Sequence, residues 1–142
     1  MRDGRAPVPK KEHTSRVMRA NKAANTKPEI LLRKALWNHN LKGYRLNWKK
    51  IPGRPDIVFA KKKIAIFVHG CFWHRCTRCN PNMPKSNIEF WNKKFSRNQE
   101  RDNIKHQQLI DLGWKVITVW ECEIKDDLST IVEMVINNVL KS

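Results

Sequence analysis

The stretch His69-Gly70-Cys71-Phe72-Trp73-His74-Arg75-Cys76-Thr77-Arg78-Cys79 packs two histidines, three cysteines and an adjacent aromatic pair into eleven residues. It constrains the fold more than any other segment. Zinc takes cysteine thiolates in a tetrahedron, so ligands close in sequence must turn back on one point. Cys76 and Cys79 form a C-x₂-C pair with Cys71 upstream, and the chain's one other cysteine is Cys122. A site of four thiolates uses all of them, and requires the fold to carry Cys122 back across a long intervening segment.

Disulfides are the alternative use, and they need an oxidising compartment. Residues 1–27 lack the apolar core of a signal peptide. Nor is there a run approaching the roughly 18 apolar residues of a membrane span. The sequence thus reads as cytoplasmic, where a cysteine cluster more often marks metal.

A chain of 142 residues accommodates one domain with a full core. We divide it into a basic flexible arm, residues 1–25, and a single zinc-containing domain, residues 26–142. Lysine and arginine number 29 against 13 acidic side chains, a net charge of +16. Such a balance selects a polyanionic partner, nucleic acid first. An anionic membrane surface would call for a basic amphipathic helix, whereas here the charge is spread along the chain.

Residues 1–25 are rich in Arg, Lys and small residues without sustained periodicity, broken by Thr14-Ser15-Arg16-Val17-Met18-Arg19. They read either as a tail or as an arm following a DNA groove. Thr26-Lys27-Pro28-Glu29 has the form of a capping box and predicts a helix carrying Ile30, Leu31, Leu32, Ala35 and Leu36 inward, stopping near Asn40. Tyr44, Leu46 and Trp48 alternate with polar residues as in a half-buried strand. Ile51-Pro52-Gly53-Arg54-Pro55 is a rigid turn that delivers Asp56. The apolar runs 57–60 and 64–68, bracketing Lys61-Lys62-Lys63, predict a β-hairpin whose second strand is central.

Ser86-Asn87-Ile88-Glu89 is a second capping-box candidate, opening a helix that Gly113 ends. Ile104, Gln108, Leu109 and Leu112 are its expected inward stripe, and Lys93, Lys94, Arg97 and Arg101 its basic one. Residues 114–120 predict another strand, ending at Glu121-Cys122, and residues 128–140 an amphipathic closing helix. The order specifies an α/β fold, a mixed sheet flanked by helices. Trp37, Trp48, Trp114 and Trp120 occupy apolar positions and are expected in the core. Trp73 and Trp91 sit among polar or basic neighbours, as exposed aromatics that stack on nucleic acid do.

Phosphodiester cleavage needs a cation to neutralise charge and a group to manage the proton of the attacking water. Asp56 offers a hard oxygen ligand for Mg²⁺. His69 and His74 are of the residue type that can hold or move protons near neutral pH, and the zinc loop would fix their positions. Each also has a plainer reading: an aspartate after proline is often a turn acceptor, an isolated histidine is usually structural, and Glu29 serves equally as a helix cap.

At these residues the sequence resembles a known family. Thr14 to Arg19, Thr26-Lys27-Pro28-Glu29, Pro52-Gly53-Arg54-Pro55-Asp56, His69-Gly70-Cys71-Phe72-Trp73-His74, Phe90-Trp91, Asn98-x-x-Arg101-Asp102 and Gly113-Trp114 to Trp120-Glu121-Cys122 look like the very-short-patch repair endonucleases. The match runs in order from about residue 13 to 123. The resemblance implies a restriction-endonuclease-like fold and a Mg²⁺-dependent nick 5′ to the thymine of a T·G mismatch left by deamination of 5-methylcytosine. It implies a monomer acting on double-stranded DNA, with a functional link to a cytosine-5 DNA methyltransferase.

Carried over residue by residue, the resemblance makes Asp56 the Mg²⁺ ligand together with the carbonyl of Val68. It puts Glu29 in the metal-water network, makes His74 the general acid or base, and sets His69 and Asp102 near the phosphate. Phe72, Trp73 and Trp91 match aromatics that wedge beside the mismatch. Met18, Lys94 and Asn98 fall where the family reads it in the minor groove, and Arg19 lies beside Met18. A wedge costs a few kcal/mol of unstacking, less at a mismatch, and so favours one.

The Glu-x-Lys of restriction-like nucleases is absent, since the hairpin ends Phe67-Val68-His69, a feature that the very-short-patch family shares. Better-known members have a histidine among the zinc ligands, whereas Cys71, Cys76, Cys79 and Cys122 suggest four thiolates. Zinc with four thiolates carries a formal charge of about −2, which Arg75 and Arg78 stand ready to offset. Two other readings share part of this evidence: a restriction or nicking nuclease acting on intact duplex, and a zinc-stabilised DNA-binding module without cleavage.

Overall fold

The computed structural model describes residues 26–141; the arm, with Met18 and Arg19, lies outside the described residues. The chain runs α1 (Lys27–Asn38), β1 (Arg45–Leu46), β2 (Ile57–Phe59), a 3₁₀ turn (Ala60–Lys62), β3 (Ile64–His69), a short α2 (Cys71–His74), α3 (Ile88–Asp111), β4 (Lys115–Trp120) and α4 (Glu121–Lys141). The sheet order is β1-β2-β3-β4. The first two pairings are antiparallel and the last is parallel. This is the expected mixed sheet, with β3 central. A parallel pair cannot be joined by a tight turn, and α3 supplies the crossover.

Residues of β2 and β3 are almost all buried because helices cover both faces. Ile57, Phe59, Ile64, Ile66, Ile117 and Val119 face α1 and α4, where they meet Leu32, Leu36, Ile131, Val132, Val135 and Val139. Ala65 and Phe67 point the other way and pack with Leu109 of α3. Full burial of each large aliphatic side chain stabilises by about 1.5–3 kcal/mol, so the α1/α4 face dominates the core. One-residue alternation along β3 thus assigns neighbours to opposite faces.

Several local expectations are corrected. Thr26 is the N-cap of α1, but its side chain makes no cap hydrogen bond, and Glu29 turns inward. At α3 the N-cap is Asn87 with φ +57°, not Ser86, and no side chain caps it. The strand expected over residues 44–48 shortens to Arg45–Leu46, both exposed, because β1 lies at the sheet edge without a covering helix. The inward stripe of α3 consists of Trp91, Phe95, Asn98 and Leu109; Ile104, Gln108 and Leu112 are exposed. Larger rings at helical spacing won the face. The basic stripe stands as expected, with Lys93, Arg97 and Arg101 exposed.

The tryptophans also part from expectation. Trp37 is 51 % exposed, covered on one side by Lys42, whose Nζ lies 4.7 Å from the ring centroid. Trp48, Trp114 and Trp120 are half-buried. The closing helix starts at residue 128 as expected, after a kink at Asp127 (φ −154°, ψ 67°) that joins it to a shorter helical stretch beginning at Glu121. The Asp127 carboxylate caps the second part, accepting from the Thr130 amide and hydroxyl and from the Ser129 hydroxyl.

Candidate active site and thiolate cluster

β3 and β4 end together, His69 opposite Trp120, and Cys71 and Cys122 each follow two residues later. The parallel register therefore returns Cys122 to the cluster. The four cysteine sulfurs lie within 4.8 Å of one another, and the cysteines are free. Thiolates about 2.3 Å from one zinc sit about 3.8 Å apart, which is the Sγ–Sγ distance from Cys76 to Cys122.

The surroundings act unequally on the thiols: burial raises Cys71 and Cys79 above their ordinary range, whereas Cys76 is lowered. The Cys122 amide donates to Cys71 Sγ at 3.4 Å, and the amides of Arg78 and Cys79 point at Cys76. Burial raises the Cys76 thiol, but those two amides together with hydrogen bonds from the Cys122 and Cys79 thiols outweigh it and hold the group below its ordinary range. Arg78 Nη1 reaches Cys122 Sγ at 3.2 Å and Asp126 at 3.1 Å, offsetting charge as anticipated. Arg75 does not: it donates to the Pro81 and Phe72 carbonyls and lies over Phe95. The donor set fits a tetrahedral zinc ion held by Cys71, Cys76, Cys79 and Cys122.

The Pro52–Pro55 turn gives Asp56 its position. Gly53 has φ +82°, and a Cβ there would stand 3.1 Å from Phe67 Cζ and 3.2 Å from Lys105 Cβ. Only glycine fits both conformation and space. Just beyond the turn, Asp56 accepts the Val68 amide through Oδ2 at 2.7 Å. Beside it stands Glu29 of α1, 0 % exposed, which also bonds Arg33 at 3.2 Å. Burial, with the Glu29 carboxylate next, pushes Asp56 up to about 7 against the opposing effect of the Val68 amide. Two carboxylates sharing a desolvated corner repel when both are ionised, and a divalent cation between them removes the conflict.

On the far side of Val68 stands His69, 6 % exposed. Its ring stacks on that of His74, centroids 3.9 Å apart and planes 8° apart, with Trp120 at its edge. Burial first, and then His74 and His106, pull His69 down to about 3 despite Asp102, so it is neutral through the working range. His74 Nδ1 bonds Asp102 Oδ2 of α3 at 2.5 Å. That contact fixes the tautomer and leaves Nε2 as the nitrogen able to exchange a proton. Burial would raise the Asp102 carboxyl, but the bond from His74 together with the neighbouring imidazoles of His74, His69 and His106 outweighs it and holds the group below its ordinary range.

Phe72 and Trp73 of α2 meet α3 edgewise. Phe72 packs on Trp91 and Phe95, and Trp73 lies 5.7 Å from Trp91. Trp91 was expected to be exposed and is 4 % exposed, because it is the floor of this aromatic group. Trp73 and Phe72 are half-buried. The Asn98 amide donates to the Trp73 carbonyl at 3.2 Å, tying α3 to the aromatic turn, and Lys94 is half-buried on the same helix. Sequence reasoning passed over His106. It follows Asp102 by four residues, the spacing that places two side chains on one helix face.

A strongly basic chain whose carboxylates and imidazoles meet at one end of a mixed sheet is built for work on a nucleic-acid phosphate. Residues 6–80 match the family described as DNA mismatch endonuclease Vsr. The chain is 48 % identical over 103 residues to the type II nicking enzyme V.NmeAIP of Neisseria meningitidis, covering 71 % of each chain. It is 39 % identical over 110 residues to the type II nicking enzyme V.XorIIP of Xanthomonas oryzae, covering 78 % of this chain and 80 % of that one. With the DNA mismatch endonuclease Vsr of Escherichia coli it shares 38 % identity over 120 residues, 84 % of this chain and 76 % of the relative. The chain belongs to the Vsr family and is a DNA endonuclease. Among the described residues, no helix is long and apolar enough to cross a membrane.

Proposed function

We propose that this endonuclease nicks double-stranded DNA 5′ to the thymine of a T·G mismatch arising from deamination of 5-methylcytosine. It acts as a cytoplasmic monomer whose nuclease domain spans residues 26–142, alongside a cytosine-5 DNA methyltransferase that creates the vulnerable base. The observation that carries the reading is the meeting, at the end of β3, of the Asp56–Glu29 carboxylates, the His74–Asp102 pair and the aromatic turn.

Asp56 and the Val68 carbonyl would hold Mg²⁺, with Glu29 in reach of its water. When bound, the ion would neutralise phosphate charge and polarise water. His74, its Nδ1 held by Asp102, moves the proton through Nε2. Neutral His69 backs the His74 ring and faces the phosphate as a hydrogen-bonding group rather than a charge. Phe72 and Trp73, backed by Trp91, supply the wedge. Met18, Arg19 and Lys94 follow the minor groove and backbone, while Asn98, buried and bonded to the Trp73 carbonyl, holds the aromatic turn rather than reading the groove as expected. Zinc on the four cysteines ties the α2 turn to α4 and so fixes His74 relative to His69.

The test uses labelled duplexes with a T·G mismatch or a T·A pair in the same context, with Mg²⁺ or EDTA, on a denaturing gel. Nicking confined to T·G with Mg²⁺ is expected. Equal nicking of both duplexes supports the intact-duplex reading instead, and tight binding without nicking supports a binding module.

A further inference from the structure

Among the described residues, His106 Nε2 is the one buried side-chain nitrogen or oxygen without a hydrogen-bond partner. Buried polar atoms are nearly always paired, so an orphan calls for an account. His106 lies one turn beyond Asp102 on α3. Its ring is 4.6 Å from Phe67 and 5.7 Å from His69, within 17° of the latter's plane. His69 in turn lies face to face with His74. His69 is thus nearly parallel to both other imidazoles, face to face with His74 and at longer range from His106. Hydrogen bonds of imidazole lie in the ring plane, so stacked rings pass no proton to one another. The third ring is not a relay.

We propose that His106 is a positioning residue of the nicking site, a neutral ring that closes the box around His69 and leaves the Asp102 carboxylate to His74. His69 is held by His74 on one face, Trp120 and Phe67 at its edges, and His106 beyond. Removing the last wall lets the ring tilt, and His74 loses the surface it stacks on. A charged group at position 106 would instead lie four residues from Asp102, the spacing at which a helical cation pairs with a preceding carboxylate. Burial holds His106 below its ordinary imidazole range in spite of Asp102, consistent with a neutral ring facing Asp102, His69 and His74. The inference rests on the reading of His74–Asp102 as the proton-moving pair.

Single-turnover nicking of T·G duplex at saturating enzyme, binding affinity and thermal melting are compared for the full-length zinc-loaded protein and its variants. His106→Ala is expected to lower the nicking rate between about ten- and a hundredfold, the scale on which small misplacement of a reacting group acts, with affinity unchanged. His106→Phe, which keeps a flat neutral ring and discards the orphan nitrogen, should recover the rate to within about threefold. His106→Lys should lose at least as much as Ala, because its ammonium takes Asp102. If Ala unfolds the chain, His106→Met replaces it, filling the volume without a ring.

Failure of Phe to recover the rate assigns chemistry to the nitrogens and overturns the positioning role. Wild-type rates for Ala or Lys overturn it too. His74→Ala separates the two claims. If that variant nicks normally, the proton-moving reading itself fails; if it is inactive while His106→Ala is unaffected, only the role of His106 fails.

Discussion

Cys71 and Cys122 stand two residues beyond a directly paired couple, His69 and Trp120, so the register of the parallel β3–β4 pair is also what brings these two cysteines together. Zinc bound there crosslinks two strands' ends and contributes folding free energy directly. The purified protein is expected to carry one zinc. Cys76, buried among donor amides, should matter more than exposed Cys79. Cys76→Ser therefore lowers the melting temperature further than Cys79→Ser, and a strong chelator reduces the wild-type protein toward the Cys76→Ser value. A folded, nicking-competent sample without zinc by metal analysis would remove the site.

The aromatic group separates stability from recognition. Trp91 is a floor, almost wholly buried, so Trp91→Ala leaves a large cavity costing about 3–5 kcal/mol. Chemical denaturation should show that loss without DNA present. Trp73 is half-buried; Trp73→Ala should leave folding less affected and cost about 1–3 kcal/mol in binding, the scale of one stacked base. Comparable stability losses for both would remove the division of labour.

Much of this was legible in the sequence because its signals were local or compositional. The hairpin on either side of Lys61-Lys62-Lys63, the turn delivering Asp56 and the four-cysteine cluster follow from apolar runs, breakers and ligand chemistry. What failed depended on tertiary choice. Helix α3 has two apolar stripes, and the one with Trp91 and Phe95 won because α2 presents Phe72 and Trp73 to it. Glu29 reads as a cap from its spacing, yet its burial beside Asp56 emerges only when α1 docks on the sheet. His106 carries no motif at all; it gains meaning from the rings of Phe67 and His69, which arrive from a strand nearly forty residues earlier.

The kink in α4 gives a pH-dependent prediction. Hydrogen bonds from the Thr130 hydroxyl, then from the Thr130 amide and Ser129, hold the Asp127 carboxyl below its ordinary range. A group depressed in the folded state contributes stability that is fully present above its unfolded value, near 3.9, and lost as pH falls through the folded one. Asp127→Ala should accordingly melt lower than wild type at neutral pH, with the gap closing below about pH 4. A gap unchanged into acid would mean that the carboxylate's charge contributes nothing to the cap.

The most demanding prediction concerns Asp56 and His74. Asp56 sits beside a second buried carboxylate, a costly arrangement in an isolated protein and a useful one around a cation. His74 is oriented by Asp102 through Nδ1. On the proposed reading both act on the transition state rather than on the bound ground state. Asp56→Ala and His74→Ala should therefore abolish nicking of the T·G duplex while leaving affinity largely intact. Asp102→Asn, which keeps the shape but not the charge, should lower the rate without altering binding. Salt separates these effects from simple electrostatics. Affinity should fall with a log–log slope of about −0.9 per neutralised phosphate, alike in wild type and the three variants, since none removes a lysine or arginine. Wild-type nicking by Asp56→Ala under single-turnover, saturating conditions would show that the cation site lies elsewhere.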